Sequence, residues 1–294
     1  MTEKLNIDQL FILSDLHIEP EHNEKNETCF RNVLRHANST SKKSAVVILG
    51  DLVDDGTKAA AWKALDKMLK PLKDAGIPIF AAPGNHDSGV LGMGFYKVGW
   101  NAYARRFFNQ DRVFFGGELT GKLAEPWNSL QAIQLNQNFA LAIMSSVPRD
   151  QAYFACGEIG SNQLFQLRKL LEFYASPKAN SPFKQKIGLV LHHHIFNENP
   201  FEALVDAERL KRVINDYGHI VEFLAFGHKH VASLYRIAGV SKEKRIFDIP
   251  VYAEPKTPDA GWYHLINLGI FPHKIEIINW QGEDVWRKEV SENV

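Results

Sequence analysis

Five apolar runs along the chain each end at side chains that can bind a metal. Residues 11–13 lead into Asp15 and His17, 45–49 into Gly50 and Asp51, and 77–82 through Pro83 and Gly84 into Asn85, His86 and Asp87. Further on, 187–191 lead into His192, His193 and His194, and 221–226 into Gly227, His228, Lys229 and His230. The run over 46–49 is Val-Val-Ile-Leu, apolar at every position, which predicts a strand buried on both faces. Between the runs the apolar spacing turns helical. Phe30, Val33 and Leu34 predict a helix over 27–37. A second is expected over 58–74, with Thr57 as N-cap, Pro71 as a point of kinking, and Gly76 and Pro78 closing it. The first third therefore reads strand, helix, strand, helix, strand, the order of right-handed crossovers and a mainly parallel sheet.

Residues 88–135 break this rhythm with a dense set of rings, including Phe95, Tyr96, Trp100, Tyr103, Phe107, Phe108, Phe114, Phe115 and Trp127. Such rings could form a lid that stacks on a substrate. Helical packing on the outside of the sheet is the expectation adopted. A strand is predicted over 139–144 and a helix over 161–173, with Leu164, Leu167, Leu170 and Leu171 on its buried side. Another helix is expected over 203–215 and strands over 246–252, 262–268 and 275–280. No repeat, low-complexity tract or composition shift marks a boundary, so one domain over 1–294 is expected, carrying an aromatic-rich insertion at about 88–135.

Composition narrows the class without naming a function. The chain has 294 residues, 45% hydrophobic and 23% charged, as in globular proteins with a full core. Lys plus Arg balances Asp plus Glu, 34 against 34, so no net field draws the chain to nucleic acid or an anionic membrane. Cys29 and Cys156 are too few for a disulfide framework or a cysteine zinc site. Residues 1–10 lack an apolar core and no run reaches membrane-spanning length, so a cytoplasmic protein is expected.

The strand ends carry the chemistry. In an open α/β sheet, functional groups collect beyond the carboxyl ends of the strands, so the five ends are expected to converge. A set of carboxylates, one amide and several imidazoles, with no thiolate, suits Mn, Fe or Zn better than calcium. Asp15 and His17 are two apart, as are His228 and His230, and in extended backbone that spacing turns both side chains to one side. Singly, each piece is weak, since Asp-x-His is a common tripeptide and Gly50-Asp51 could be a plain turn. Asp54 and Asp55 read as helix-approach or supporting residues rather than ligands, and three consecutive histidines cannot all face one point. His22, His36, His219, His264 and His273 lie outside the runs and are expected in surface or ordinary core roles.

Together the motifs resemble those of the calcineurin-like metallophosphoesterases. Asp15-Leu16-His17, Gly50-Asp51-Leu52-Val53-Asp54, Gly84-Asn85-His86-Asp87, His192 and Gly227-His228-Lys229-His230 follow that family's order with none missing. The resemblance implies an α/β fold, a four-layer αββα sandwich of two mixed sheets flanked by helices, holding two metal ions (Mn, Fe or Zn). It further implies that Asp15, His17 and His230 hold one ion, that Asn85, His192 and His228 hold the other, and that Asp51 bridges them. His192 comes first off its strand and is the expected ligand, with His193 the alternative. A metal-bound hydroxide would then attack phosphorus, His86 would contact the phosphoryl group and protonate the leaving alkoxide, and Asp87 would orient the His86 ring.

Departures from the family pattern bear on the branch. Asp55 and Asp87 stand where the family's serine/threonine protein phosphatases have Arg and Glu, which argues against that branch. Ser14-Asp15-Leu16-His17 is also seen among the family's nucleases, but the neutral charge and lack of a basic stripe argue against DNA as a partner. Leu191-His192-His193-His194 is similar to class III cyclic-nucleotide phosphodiesterases. The expected substrate is a small phosphodiester or phosphomonoester, and a non-catalytic scaffold on the same fold is the alternative of a different class.

Overall fold

The structure, a computed structural model, describes residues 5–115, 118–119, 126–148, 155–176, 186–196, 199–268 and 274–279. In chain order its elements are β1 (Gln9–Leu13), α1 (Glu24–Asn38), β2 (Ser44–Ile48), α2 (Ala59–Asp74), β3 (Ile79–Ala81), α3 (Asn85–Ser88) and α4 (Lys97–Phe107). A short antiparallel pair of β4 (Phe114–Phe115) and β5 (Glu118–Leu119) follows, then β6 (Gln131–Asn136), β7 (Phe139–Ile143), α5 (Gly160–Ala175) and β8 (Lys186–Val190). The last are α6 (Ala207–Tyr217), β9 (Val221–Phe226), β10 (Ser233–Val240), β11 (Ile246–Ala253), α7 (Thr257–Ala260), β12 (Trp262–Asn267) and β13 (Lys274–Asn279).

The long strands form two sheets, ordered β13-β12-β1-β2-β3 and β10-β11-β9-β8-β7-β6. β1, β2 and β3 are parallel, as their crossover helices require. That sheet is mixed rather than mainly parallel, because β12 joins β1 antiparallel and β13 joins β12 antiparallel. In the second sheet β7, β8, β9 and β11 are parallel, with β6 and β10 antiparallel at the edges.

Side-chain alternation turns these sheets into layers. In β1, Phe11 and Leu13 face Phe30 and Val33 of α1 and Leu65 and Leu69 of α2. Leu10 and Ile12 point the other way and meet Phe139, Leu141 and Phe223 of the second sheet. The far face of that sheet, including Ala140, Leu189 and Leu224, packs on Leu164 and Leu167 of α5 and Leu210 and Ile214 of α6. The fold is thus helices, sheet, sheet, helices. Each large apolar side chain removed from water contributes about 1.5–3 kcal/mol, so the interleaved runs hold the sheets face to face.

Several local expectations need correction. Thr57 does not cap α2: its hydroxyl bonds Asp55 Oδ1 at 2.6 Å, and the helix begins two residues later at Ala59. α2 does run through Pro71, three residues before its end. The helix expected from 203 begins only at Ala207, because 203–205 pair with Gly157 as a parallel bridge. Gly157 N–H donates to the Ala203 carbonyl and Val205 N–H to the Gly157 carbonyl, each at 2.9 Å, and the Asp206 carboxylate takes the backbone N–H groups of Ile159 and Gly160. The ring-rich stretch packs as expected where it is described: Trp100, Tyr103 and Phe107 of α4 are buried, and Phe95 and Trp127 meet Trp100 edgewise or tilted. Tyr103 donates its hydroxyl to the Ala81 carbonyl at 2.7 Å, fastening α4 to the end of β3.

Candidate metal centre

β1, β2 and β3 lie in one sheet and β8 and β9 in the other, yet all five carboxyl ends meet along one edge of the sandwich. They do so through tight turns rather than extended backbone. Asp15 (φ 51°), His17 (φ 43°), Asp51 (φ 48°), His228 (φ 77°) and His230 (φ 56°) all occupy the left-handed region, which non-glycine residues seldom adopt. The expectation that i, i+2 spacing works through extended backbone is therefore wrong in mechanism, although the paired side chains do converge. Such strain persists only where surroundings hold it, and it clusters at functional sites. Here the glycines supply room. A Cβ on Gly84 would sit 2.1 Å from Asp51 Oδ1, and one on Gly227 would sit 1.9 Å from Ser14 Oγ and 2.4 Å from Asp15 Oδ2.

Three groups of ligand-type atoms result among the described residues, two of which share Asp51. Asp15, His17, Asp51 and His230 each bring one such atom within 4.8 Å of the others, and so do Asp51, His192 and His228. In the first group His17 Nε2 lies 3.0 Å from His230 Nε2 and 3.6 Å from Asp51 Oδ2, and His230 Nε2 lies 3.4 Å from Asp15 Oδ1. In the second, His192 Nε2 lies 3.2 Å from Asp51 Oδ2, 3.2 Å from His228 Nδ1 and 3.0 Å from Asn85 Oδ1. Asp51 Oδ2 is common to both. The seven residues are those the family resemblance divides between two ions.

Whether these atoms suit a cation follows from their chemistry. Ligands about 2.1 Å from one tetrahedral ion stand about 3.4 Å apart, close to the spacings above. The donors' hydrogens also point elsewhere. His192 Nδ1 is 2.8 Å from the Leu49 carbonyl, which can only accept, so Nδ1 carries a hydrogen. Asn85 Nδ2 donates to the Gly92 carbonyl at 3.0 Å, which turns Oδ1 toward His192. Burial, then the charge on His192, pushes His228 down to about 3 and leaves it neutral. Burial opposes charge on His192 too, but Asp51's carboxylate outweighs it and lifts His192 to about 9. Carboxylate, amide oxygen and imidazole nitrogens thus share one small space, a donor set that suits a cation.

His86 stands beside this space, outside the two groups that share Asp51, and forms the third group with His17 and Asp54. Its ring meets His17 edge to face at 4.4 Å between centroids, and its Nδ1 donates to the Asp54 carbonyl at 2.7 Å, with the Asp54 carboxylate 3.8 Å away. Asp54 therefore orients His86, and the expectation that Asp87 does so is corrected. Asp87 turns inward, where Oδ1 accepts from the Leu52 and Val53 N–H groups and Oδ2 from Gly84 N–H. Both of its oxygens thus face backbone N–H groups rather than the His86 ring, whose Nδ1 is taken by Asp54. Burial, and then the charge of Asp51, raise Asp87 to about 8.

A family model described as calcineurin-like phosphoesterase matches residues 9–232. The chain belongs to the calcineurin-like phosphoesterase family. As a calcineurin-like phosphoesterase it is a metal-dependent hydrolase, and its two residue groups suggest a dimetal site. Solved structures share the fold at low identity. A dimetal phosphatase from Danio rerio aligns with TM-score 0.64 and 12% identity over 92% of this chain and 95% of its own. GAP50 of Plasmodium, described as the anchor in the inner membrane complex, aligns with TM-score 0.53 and 12% identity over 95% of this chain and 86% of its own. A 5'-nucleotidase precursor from Thermus thermophilus gives TM-score 0.51 and 12% identity over 92% of this chain and 54% of its own. No curated protein matches the sequence. Among the described residues of this phosphoesterase, no helix is long and apolar enough to cross a membrane.

The histidine triplet of this phosphoesterase separates into three environments. His192 faces the metal-type groups, whereas His193 Nδ1 is 2.8 Å from Ser146 Oγ and His194 Nδ1 accepts from Phe196 N–H. Of the other histidines, His22 is exposed, His36 bonds the Tyr263 hydroxyl, His219 faces Glu243 and His264 pairs with the buried Glu254. His273 lies outside the described residues. Sequence reasoning missed Thr257, whose hydroxyl accepts from Ser14 N–H while its own N–H donates to the Ser14 carbonyl. Ser14 in turn donates to Asp15 Oδ2 at 2.5 Å. Nothing at 257 signals this, because its partner is 243 residues away. Asp54 was legible, as the second acid of Gly50-Asp51-Leu52-Val53-Asp54, but only its placement shows that it meets His86.

Proposed function

We propose that this calcineurin-like phosphoesterase hydrolyses a small phosphoester, a cyclic-nucleotide-like phosphodiester or a phosphomonoester, at a dinuclear metal centre. The observation that carries this is Asp51 Oδ2, which lies 3.6 Å from His17 Nε2 and 3.2 Å from His192 Nε2 and so is shared by both groups. On this reading Asp15, His17, Asp51 and His230 hold one ion, and Asp51, Asn85, His192 and His228 hold the other. Bound there, two cations would polarise the phosphoryl oxygens and make a bound water nucleophilic at neutral pH.

The chain's own residues supply the rest. With Nδ1 tied to the Asp54 carbonyl, the His86 ring presents Nε2 to the substrate. As the water oxygen bonds to phosphorus and the bond to the leaving oxygen breaks, the proton on His86 Nε2 passes to that oxygen. The proton released by the water restores His86. Asp87 takes no part in this transfer and holds residues 52–53 against Gly84.

Two alternatives remain in the comparison. A nuclease needs phosphate-neutralising cations, and the even charge of 34 against 34 does not favour one. A scaffold is suggested by the shared fold of the Plasmodium anchor, yet a scaffold has no use for a full set of seven ligand-type residues. Paired assays on an aryl phosphodiester and an aryl phosphomonoester, with added Mn and with chelator, test the proposal. Metal-dependent release from at least one ester is expected, and no release from either with Mn, Fe or Zn would overturn it.

A further inference from the structure

The turn that follows α3 is built onto the site without belonging to the ligand set. Val90 and Met93 exchange both backbone hydrogen bonds, N–H to carbonyl at 3.1 and 3.0 Å, closing a two-residue turn over Leu91 and Gly92. Both central residues have positive φ, 48° and 76°, the geometry of a type I′ turn. The turn is pinned to two site residues. The Gly92 carbonyl accepts from Asn85 Nδ2 at 3.0 Å, and a Cβ on Gly92 would stand 2.6 Å from His86 Nε2. Gly92 backbone therefore lies in contact with the nitrogen of His86 that Asp54 leaves untied.

The residues on either side of Gly92 are the unusual ones. Leu91 is 54% exposed and Met93 51% exposed, and neither packs into the described core. Scattered exposed apolar residues are ordinary, but Leu91 also holds a left-handed φ that Asn, Asp or Gly adopts far more readily. A polar residue there would suit both the turn and the solvent, so folding does not account for the leucine. Neighbouring Cα atoms are about 3.8 Å apart, which starts both side chains one residue from the His86 Nε2 contact.

The geometry points to Leu91 and Met93 as an apolar wall for the leaving alcohol, and so, among the small phosphoesters proposed above, to those whose leaving alcohol is apolar or aromatic rather than to cyclic nucleotides, whose leaving oxygen is a sugar hydroxyl. The inference rests on the proposed role of His86, because the nitrogen that protonates the leaving oxygen fixes the side of the phosphorus on which that alcohol lies. The phosphoryl group belongs to the metal side, and the alcohol belongs beside Gly92. Burying extra ring area there would raise kcat/KM several-fold for each added pair of carbons, chiefly through KM.

The test compares phenyl and naphthyl phosphodiesters, whose leaving groups have nearly equal acidity but differ in apolar area. The metal-loaded wild type is expected to favour the naphthyl ester about tenfold or more in kcat/KM. The double variant Leu91→Asn, Met93→Ser should bring that ratio close to one, since Asn keeps the left-handed turn while removing the apolar surface. Bound metal and thermal stability of the variant serve as the check on folding, and the single variant Met93→Ser should give an intermediate ratio. A wild type without ring preference, or a preference that survives the double variant, overturns the inference while leaving the phosphoesterase proposal standing. No turnover of any ester overturns both.

Discussion

At Asn85-His86-Asp87 three neighbouring side chains do three unrelated things, and the difference lies in what each one touches. Asn85 is held by Gly92 so that its oxygen faces His192, His86 is held by Asp54 and faces outward, and Asp87 is spent on backbone. His86→Ala should therefore keep both ions and slow esters with poor leaving groups most, and Asp54→Ala should follow the same trend more weakly, since the carbonyl contact survives. Rates across a leaving-group series check this, and an equal loss for activated and unactivated esters would contradict it. Asp87→Ala is a different kind of change. It strands three buried N–H groups, each costing about 1–3 kcal/mol, so unfolding of the metal-free protein in denaturant should show a loss of about 3 kcal/mol or more. A loss under 1 kcal/mol would show that the loop does not depend on it.

At the scale of elements, the metal-type residues sit on turns that leave parallel strands, and these turns work only because chain crosses chain without side chains between. Gly227 is the tightest crossing, with Ser14 Oγ 1.9 Å from where its Cβ would be. Gly227→Ala should push Ser14 and Asp15 away and weaken metal binding at least tenfold, read by titration with Mn. The variant should also unfold more easily; unchanged affinity would mean the β9 turn adapts. This level was only half legible in the sequence. Apolar runs showed where strands end, because a strand buried on both faces needs an uninterrupted run such as 46–49. How the ends turn was not legible: left-handed φ at Asp15, His17, Asp51, His228 and His230 is uncommon even for Asp and His, and here it is held by tertiary contacts. The cap expected at Thr57 failed for a local reason, since Asp55 two residues earlier takes its hydroxyl.

At the scale of the whole molecule, the centre exists because two sheets are stacked with their strand ends in line. His17 and Asp15 come from one sheet and His230 from the other, and the apolar layer of Leu10, Ile12, Phe139, Leu141 and Phe223 keeps them together. The site is thus as stable as the sandwich, and neither of the two groups that share Asp51 is complete on one sheet. The family motifs made legible the set of residues and a sandwich of two mixed sheets, but not which strands of the first sheet, β12 and β13, run antiparallel, since strands read singly carry no pairing direction. Asp51 ties this architecture to the chemistry, because its Oδ2 faces His17 on one side and His192 on the other. The most direct test is the number of ions bound per chain, by elemental analysis of protein loaded with Mn, for the wild type beside Asp51→Ala. Two ions per wild-type chain, and a loss of at least one in the variant, are predicted. One ion or none in the wild type, or two retained in Asp51→Ala, would contradict a dinuclear centre bridged by Asp51.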